Sequence, residues 1–281
     1  MNLRHLTVRT AVAGVTVALA AGALVGLGTS AADAATGTAT YSCSGAGTPL
    51  PLSVSADADL SGYPSFPSGQ SVNAGLVSLT LTITVPAPVV NSLMDDFHQT
   101  TIGGGSKDLA FPIGNGSVPI ADFTIDPVTL VHDTPAVLSK GVSNDAFKLP
   151  DAGAAKVTMP SSFTLDTIVP LTCTTSDTSV ITTYTISKQT AGVTAKAPKS
   201  VKKGKAFAVA AKVTGQNKTA TGKVVAKVGK KVVGAGVLKN GKAAIKVKKG
   251  LKKTSKITVV YAGDKSTSGS SSFPVTVKVK K

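Results

Sequence analysis

Residues Lys223–Lys256 read KVVAKVGKKVVGAGVLKNGKAAIKVKKGLKKTSK. Whether this run is a tail or a fold decides the architecture of the second half of the chain. Basic disordered segments interleave lysine with alanine and proline and have no reason to alternate apolar residues. This stretch contains no proline, and it alternates. Ala243, Ile245 and Val247 fall on one face of a period-2 strand, and Lys242, Ala244, Lys246 and Lys248 fall on the other. Between two such runs lies Lys239-Asn240-Gly241-Lys242. Asn-Gly tolerates positive φ at both central positions and is the strongest two-residue hairpin signal. The stretch predicts strands and a hairpin, with the core on one face and a rigid field of lysines on the other.

The same pattern extends outward. FAVAAKV places Phe207, Val209, Ala211 and Val213 together, KITVVYAGD places Ile257, Val259 and Tyr261 together, and FPVTVKVKK places Val275, Val277 and Val279 together. Short strands at even spacing with turn residues between them predict an all-β sandwich. Across all 281 residues every acid is Asp, and the two arginines are Arg4 and Arg9. Strong helix formers are scarce while Val, Thr, Gly and Ser abound, a composition that favours strands.

Charge divides the chain. Residues 35–189 hold five lysines and twelve aspartates, a formal charge of −7, whereas residues 190–281 hold 23 lysines and one aspartate, a formal charge of +22. Such asymmetry marks a domain boundary. The expected organisation is a segment 1–34, a β domain at 35–189 and a lysine-rich domain at 190–281, with KQTAGVTAKAPKS supplying the linker and first edge strand.

Residues 1–34 read as a secretory signal. Arg4 and Arg9 precede the uncharged run Ala11–Leu27, and Ala32-Asp33-Ala34 fits an A-x-A cleavage site, with cleavage before Ala35 or one residue later. No second apolar run of spanning length follows. An exported protein is expected, free or held to the surface non-covalently. Two cysteines in an oxidising compartment make one disulfide most simply, Cys43 with Cys173. Closing so long a loop is worth about 4–5 kcal/mol in the chain-entropy picture.

The N-terminal half is mostly strand. In LVSLTLTITVP, Val77, Leu79, Leu81, Ile83 and Val85 share one face and Ser78, Thr80, Thr82 and Thr84 the other. LPLSVSADADL, DTIVPLTC and SVITTYTISK read similarly, with turn residues clustered in SGYPSFPSGQ and IGNGSVP. PAPVVNSLMDDFHQ breaks the pattern. It sets Val89, Val90, Leu93, Met94 and Phe97 at helical spacing after a proline start, so a short helix is expected to pack on the sheets.

ATYSCSGAGTPLPLSVSADADL, VPAPVVNSL and VPLTCTTSDTSVITTYTISK resemble a domain of unknown function found in exported actinobacterial proteins. Tyr41-Ser42-Cys43 and Leu171-Thr172-Cys173 stand at the opening and closing cysteine motifs of that family. Residues 192–280 resemble the bacterial Ig-like repeat domains of surface and secreted proteins. The marks are ATGKVVAKVGKKVVGAGVLKNGKAAIKV and ITVVYAGDKSTSGSSSFPVTVKV, with Tyr261-Ala262-Gly263-Asp264 at the closing motif. This second resemblance implies an Ig-like sheet and core but no partner, because its relatives carry Thr where this chain carries outward lysine.

Sites for chemistry are sparse. His132-Asp133, and His98 after Asp95-Asp96, lack a nucleophile elbow and read as surface histidines. Asp57-Ala58-Asp59 and Asp95-Asp96 lack the oxygen density of a calcium loop. TIGGGSKD lacks the spacing of a phosphate loop and reads as a flexible turn. No catalytic set, cofactor motif or metal ligand set is assigned. The lysines remain: Lys223, Lys227, Lys230 and Lys231; Lys242, Lys246, Lys248 and Lys249; Lys252, Lys253, Lys278 and Lys280. So large an unbalanced charge repels itself, a penalty that interspersed acids would remove. The expected partner is an anionic cell-envelope polymer or another polyanion. Lysine gives point charges without bidentate readout, so binding is expected to be diffuse and salt-sensitive. The reading is a non-enzymatic, cell-surface or secreted adhesion or structural protein. Its alternatives are an extracellular, non-specific nucleic-acid-binding protein and an unrecognised enzyme in the N-terminal half.

Overall fold

The computed structural model describes residues 35–281 except 46–48, 59, 61 and 168. The expected signal segment lies outside the described residues. In the N-terminal half the elements run β1 (Ala35–Ser44), β2 (Leu50–Ala58), β3 (Ser71–Val72), β4 (Ser78–Val85), α1 (Ala87–Asp95), β5 (Thr101–Ser106), β6 (Ala110–Ile113), β7 (Gly116–Pro119), β8 (Phe123–Thr129), β9 (Ala136–Ser143), β10 (Phe147–Lys148), β11 (Gly153–Thr158), β12 (Ser162–Leu165), β13 (Leu171–Thr174) and β14 (Val180–Ile186). The C-terminal half continues with β15 (Ala191–Lys196), β16 (Ser200–Lys202), β17 (Phe207–Gly215), β18 (Lys223–Val228), β19 (Lys231–Val237), β20 (Lys242–Val247), β21 (Ser255–Tyr261), β22 (Ser270–Ser271) and β23 (Val275–Lys280).

In the first half a six-stranded sheet, β12-β13-β1-β2-β4-β9, and a four-stranded sheet, β14-β11-β6-β7, enclose one core; β3 pairs with β10 and β5 with β8. Alternation does the work: Leu79, Leu81, Ile83 and Val85 of β4 are all buried, while the intervening Ser and Thr residues are exposed or half-buried. Cys43 and Cys173 stand directly opposite each other across β1 and β13 and form a disulfide that closes a separation of 130 residues. Two residues along β1, Tyr41 packs its ring edge-on against Phe163 with centroids 5.0 Å apart. Its hydroxyl donates to Pro160 O at 2.6 Å. Burial pushes the Tyr41 phenol far above its ordinary pKa.

The predicted helix is present, begins after Pro86 and buries Val90 completely, with Val89, Leu93 and Met94 half-buried against the core. It stops at Asp95, so Phe97 leaves the helical face and is 60% exposed. TIGGGSKD is not a flexible turn. Its Thr101–Ser106 is strand β5, paired antiparallel with β8. Glycine weakens strands in general, but here it is what lets two backbones approach: a Cβ on Gly105 would sit 2.3 Å from Phe123 O.

In the second half, β15-β17-β20 form one sheet and β16-β23-β21-β18-β19 the other, with β22 also on β21. Val209, Val213, Ile245, Val247, Ile257, Val259, Tyr261 and Val277 fill the space between them. The two cores share no residue, and they divide between Ile186 and Val193. Asn240 and Gly241 take φ of 49° and 71° as the turn requires, yet the hairpin is one bridge long, Lys239 to Lys242. Beyond it β19 pairs with β18 and β20 with β17, so the turn carries the chain from one sheet to the other. Among the described residues no helix is long and apolar enough to cross a membrane.

Candidate functional site

The lysines do not form one field. A sandwich has two outer faces pointing in opposite directions, and period-2 alternation sends the outward residue of every strand to one or the other. Lys242 and Lys246 lie on β20, in the three-stranded sheet, beside Lys212 of β17. Lys223, Lys227, Lys231, Lys278 and Lys280 lie in the opposite sheet. Lys230 follows Gly229 in the β18–β19 turn, and Lys248, Lys249, Lys252 and Lys253 occupy the β20–β21 loop. Eleven of these twelve are exposed, and Lys227 is half-buried.

Some of this charge is set against itself. Lys212 stands directly opposite Lys242 across β17 and β20, and Lys202 is in register with Lys280 across β16 and β23. Like charges so placed destabilise a sheet. Among the described residues, Lys218 is the lysine of this half that reaches a carboxylate, Asp151 of the other half. The one acid of residues 190–281, Asp264, is occupied. Its Oδ2 accepts from the Thr221 amide at 2.9 Å and hydroxyl at 2.8 Å, and its Oδ1 from the amides of Ser266 at 2.9 Å and Thr267 at 2.7 Å. Burial opposes its charge, but the donors of Thr221 and Ser266 outweigh it and hold the carboxyl far below the carboxylate range. Asp264 is thus a turn staple. Beside it the buried Tyr261 phenol is pushed up to about 12, by burial first and by the Asp264 carboxylate second.

The expected linker is tied down. Gln189 is fully buried, and its Oε1 accepts from the amides of Asn217 at 2.6 Å and Lys218 at 3.0 Å. Its Nε2 donates to Lys218 O at 2.9 Å and to Thr267 Oγ1 at 3.0 Å. From this knot Lys218 Nζ reaches Asp151 Oδ1 at 2.7 Å, and Ser266 Oγ donates to the same oxygen at 2.7 Å. The hydrogen bonds from Lys218 and Ser266 hold the Asp151 carboxyl below its ordinary pKa. Sequence reading missed this junction, because Gln189, Lys218 and Asp151 belong to no spacing pattern.

The other candidates are dispersed. His132 Nε2 lies 3.4 Å from Asp95 Oδ1 at the surface, and Asn91 donates to Asp133 and accepts from its amide, so the β8–β9 loop is pinned to α1. His98 is exposed in the left-handed region, at φ 52°. An apolar cavity of about 60 Å³ in the N-terminal core is walled by Tyr63, Phe66, Phe111, Phe147 and Tyr184, and neither histidine lines it. Among the described residues no three His, Cys or acidic side chains converge as metal ligands.

Residues 40–187 match the profile of a family of unknown function (DUF6801). Residues 193–280 match the bacterial Ig-like domain (group 3). No curated protein matches the chain.

Proposed function

Since the chain belongs to that family of unknown function and carries a bacterial Ig-like domain, we propose that it is an exported, non-catalytic protein whose Ig-like domain holds it electrostatically to an anionic polymer of the cell envelope. One observation carries this reading. Residues 190–281 set 23 lysines against a single aspartate that four hydrogen bonds already engage, and they place lysine opposite lysine in both sheets. A solvated face kept only for solubility gains from interspersed acids; an uncompensated one gains from a polyanion that relieves the repulsion. The cysteine pairing and the N-terminal signal pattern support a location outside the cytoplasm. The N-terminal domain then stands as the part presented to a further partner.

The test is retention on purified cell walls across a salt series. Retention at about 50 mM salt that falls steeply by about 500 mM supports the reading. Retention indifferent to salt, or none at low salt, sinks it. Finding the protein in the cytoplasmic fraction of its own cells removes the premise of export.

A further inference from the structure

Two lysine-glycine segments distant in sequence meet at one end of the Ig-like domain. KKGK, residues 202–205, links β16 to β17; KKGLKK, residues 248–253, links β20 to β21. Gly204 N donates to Leu251 O at 3.0 Å, and the Leu251 side chain is buried in the core of the domain. Gly250 lies so close that a Cβ on it would sit 2.3 Å from Lys205 O and 2.4 Å from the carbonyl carbon of Gly204. The end of β23 joins them: Lys203 N donates to Lys280 O at 3.0 Å, and Val279 N to Thr254 Oγ1 at 3.2 Å. Backbone contacts therefore hold three lysine-bearing segments together, and the lysines between them are exposed.

The opposite end of the domain is the junction. Strand β17 starts at Phe207, just after the first loop, and ends at Gly215, just before Asn217 and Lys218. Its nine residues put about 27 Å between the two ends. Asp264 and the Asp151 contacts belong to the junction end, so no acid of this domain lies near the lysine pole.

Resting on the electrostatic reading above, we propose that this pole, and not the sheet faces, is the attachment site. Its ligand is a flexible polymer carrying a phosphate in each repeat, bound end-on so that the N-terminal domain points away from it. The chemistry selects such a chain. Exposed lysines on loops reach successive phosphates as point charges. They offer neither the helix or ribbon that enters a duplex groove nor the arginine forks that read bases. The three-stranded face sets lysines side by side once, at Lys212 and Lys242, and otherwise separates them by alanines, as in the Lys196–Ala210–Ala244 row, while the pole gathers lysines from three segments.

The experiment compares two variants of the chain with equal charge loss on immobilised poly(glycerol phosphate). One replaces Lys203, Lys205, Lys249, Lys252 and Lys253 by Gln; the other replaces Lys196, Lys212, Lys223, Lys242 and Lys246 by Gln. The pole variant is expected to lose affinity by more than tenfold and to show a shallower salt slope, with the face variant within about threefold of the unaltered chain. Arginine at the five pole positions is expected to restore binding, which separates charge loss from misfolding. Equal losses in both variants overturn the pole and leave the electrostatic reading standing. No binding by the unaltered chain at low salt overturns both. Tighter binding to duplex DNA than to the polymer at matched salt overturns the choice of a flexible chain.

Discussion

The two halves of this chain solve the same problem in opposite ways. Both bury period-2 apolar faces between sheets. The N-terminal half spans the longer sequence separations and closes itself covalently, with Cys43 opposite Cys173 joining strands 130 residues apart. The C-terminal half has no cysteine and almost no counter-charge; it relies on its core, on the Asp264 staple and on the turn residues. The difference teaches that a core of ordinary size can carry a large like-charge repulsion when its strands turn apolar residues inward and its buried polar groups, such as Gln189 and Ser272, are hydrogen-bonded.

The largest expected effect falls on the first half. Replacing Cys43 and Cys173 together by Ser removes about 4 kcal/mol from its stability. Hydrogen exchange in β1, β2 and β13 should accelerate while β17, β20 and β21 keep their protection. Equal loosening of both halves would break the comparison, by showing that the buried Gln189 junction makes them a single cooperative unit.

The next effect falls on the second half. Asp264→Asn leaves one acceptor oxygen where two serve four donors, and should cost about 2 kcal/mol, read as a lower denaturation midpoint in β17 and β21 with the N-terminal half unchanged. Acid sharpens the same point. The folded pKa of Asp264 is depressed, so its contribution is complete above the ordinary carboxylate value near 4 and is lost as pH falls through the folded value. The unaltered second half should weaken below about pH 4, and the Asn variant should show a flatter acid limb. An unchanged acid limb would remove the carboxylate from the account.

The smallest effect is ionic strength. Raising salt from about 20 to 500 mM shortens the Debye length from about 20 to 4 Å. The second half should gain a few degrees in Tm by calorimetry and the first half little. A gain shared equally would show that the lysine repulsion is not what distinguishes them.

Much of the fold was legible in residue spacing. Strands such as Leu79-Leu81-Ile83-Val85 and Val209-Ala211-Val213 declare themselves because burial on one face is a property of the strand alone. The helix at Val89–Met94 was visible for the same reason. Thr101–Ser106 was not, since three glycines carry no outward sign of a strand; it is made by the closeness of Phe123, a partner distant in sequence. The Asn240-Gly241 turn was legible and its use was not. Turn geometry is local, while the choice of pairing partner beyond it belongs to β17 and β18.

The amino-acid sequence by itself determined that the chain is all-β, that it holds two cysteines 130 residues apart, and that 23 of its 30 lysines and arginines lie in the last third. These follow from periodicity, count and composition, which need no partner. Only the tertiary structure decided where the lysines go. A single alternating strand has one outward face, but a sandwich has two, and its loops gather at the ends. The same residues that read as one field are therefore divided between opposite faces, and the Gly204–Leu251 and Gly250–Lys205 contacts draw KKGK and KKGLKK into one pole.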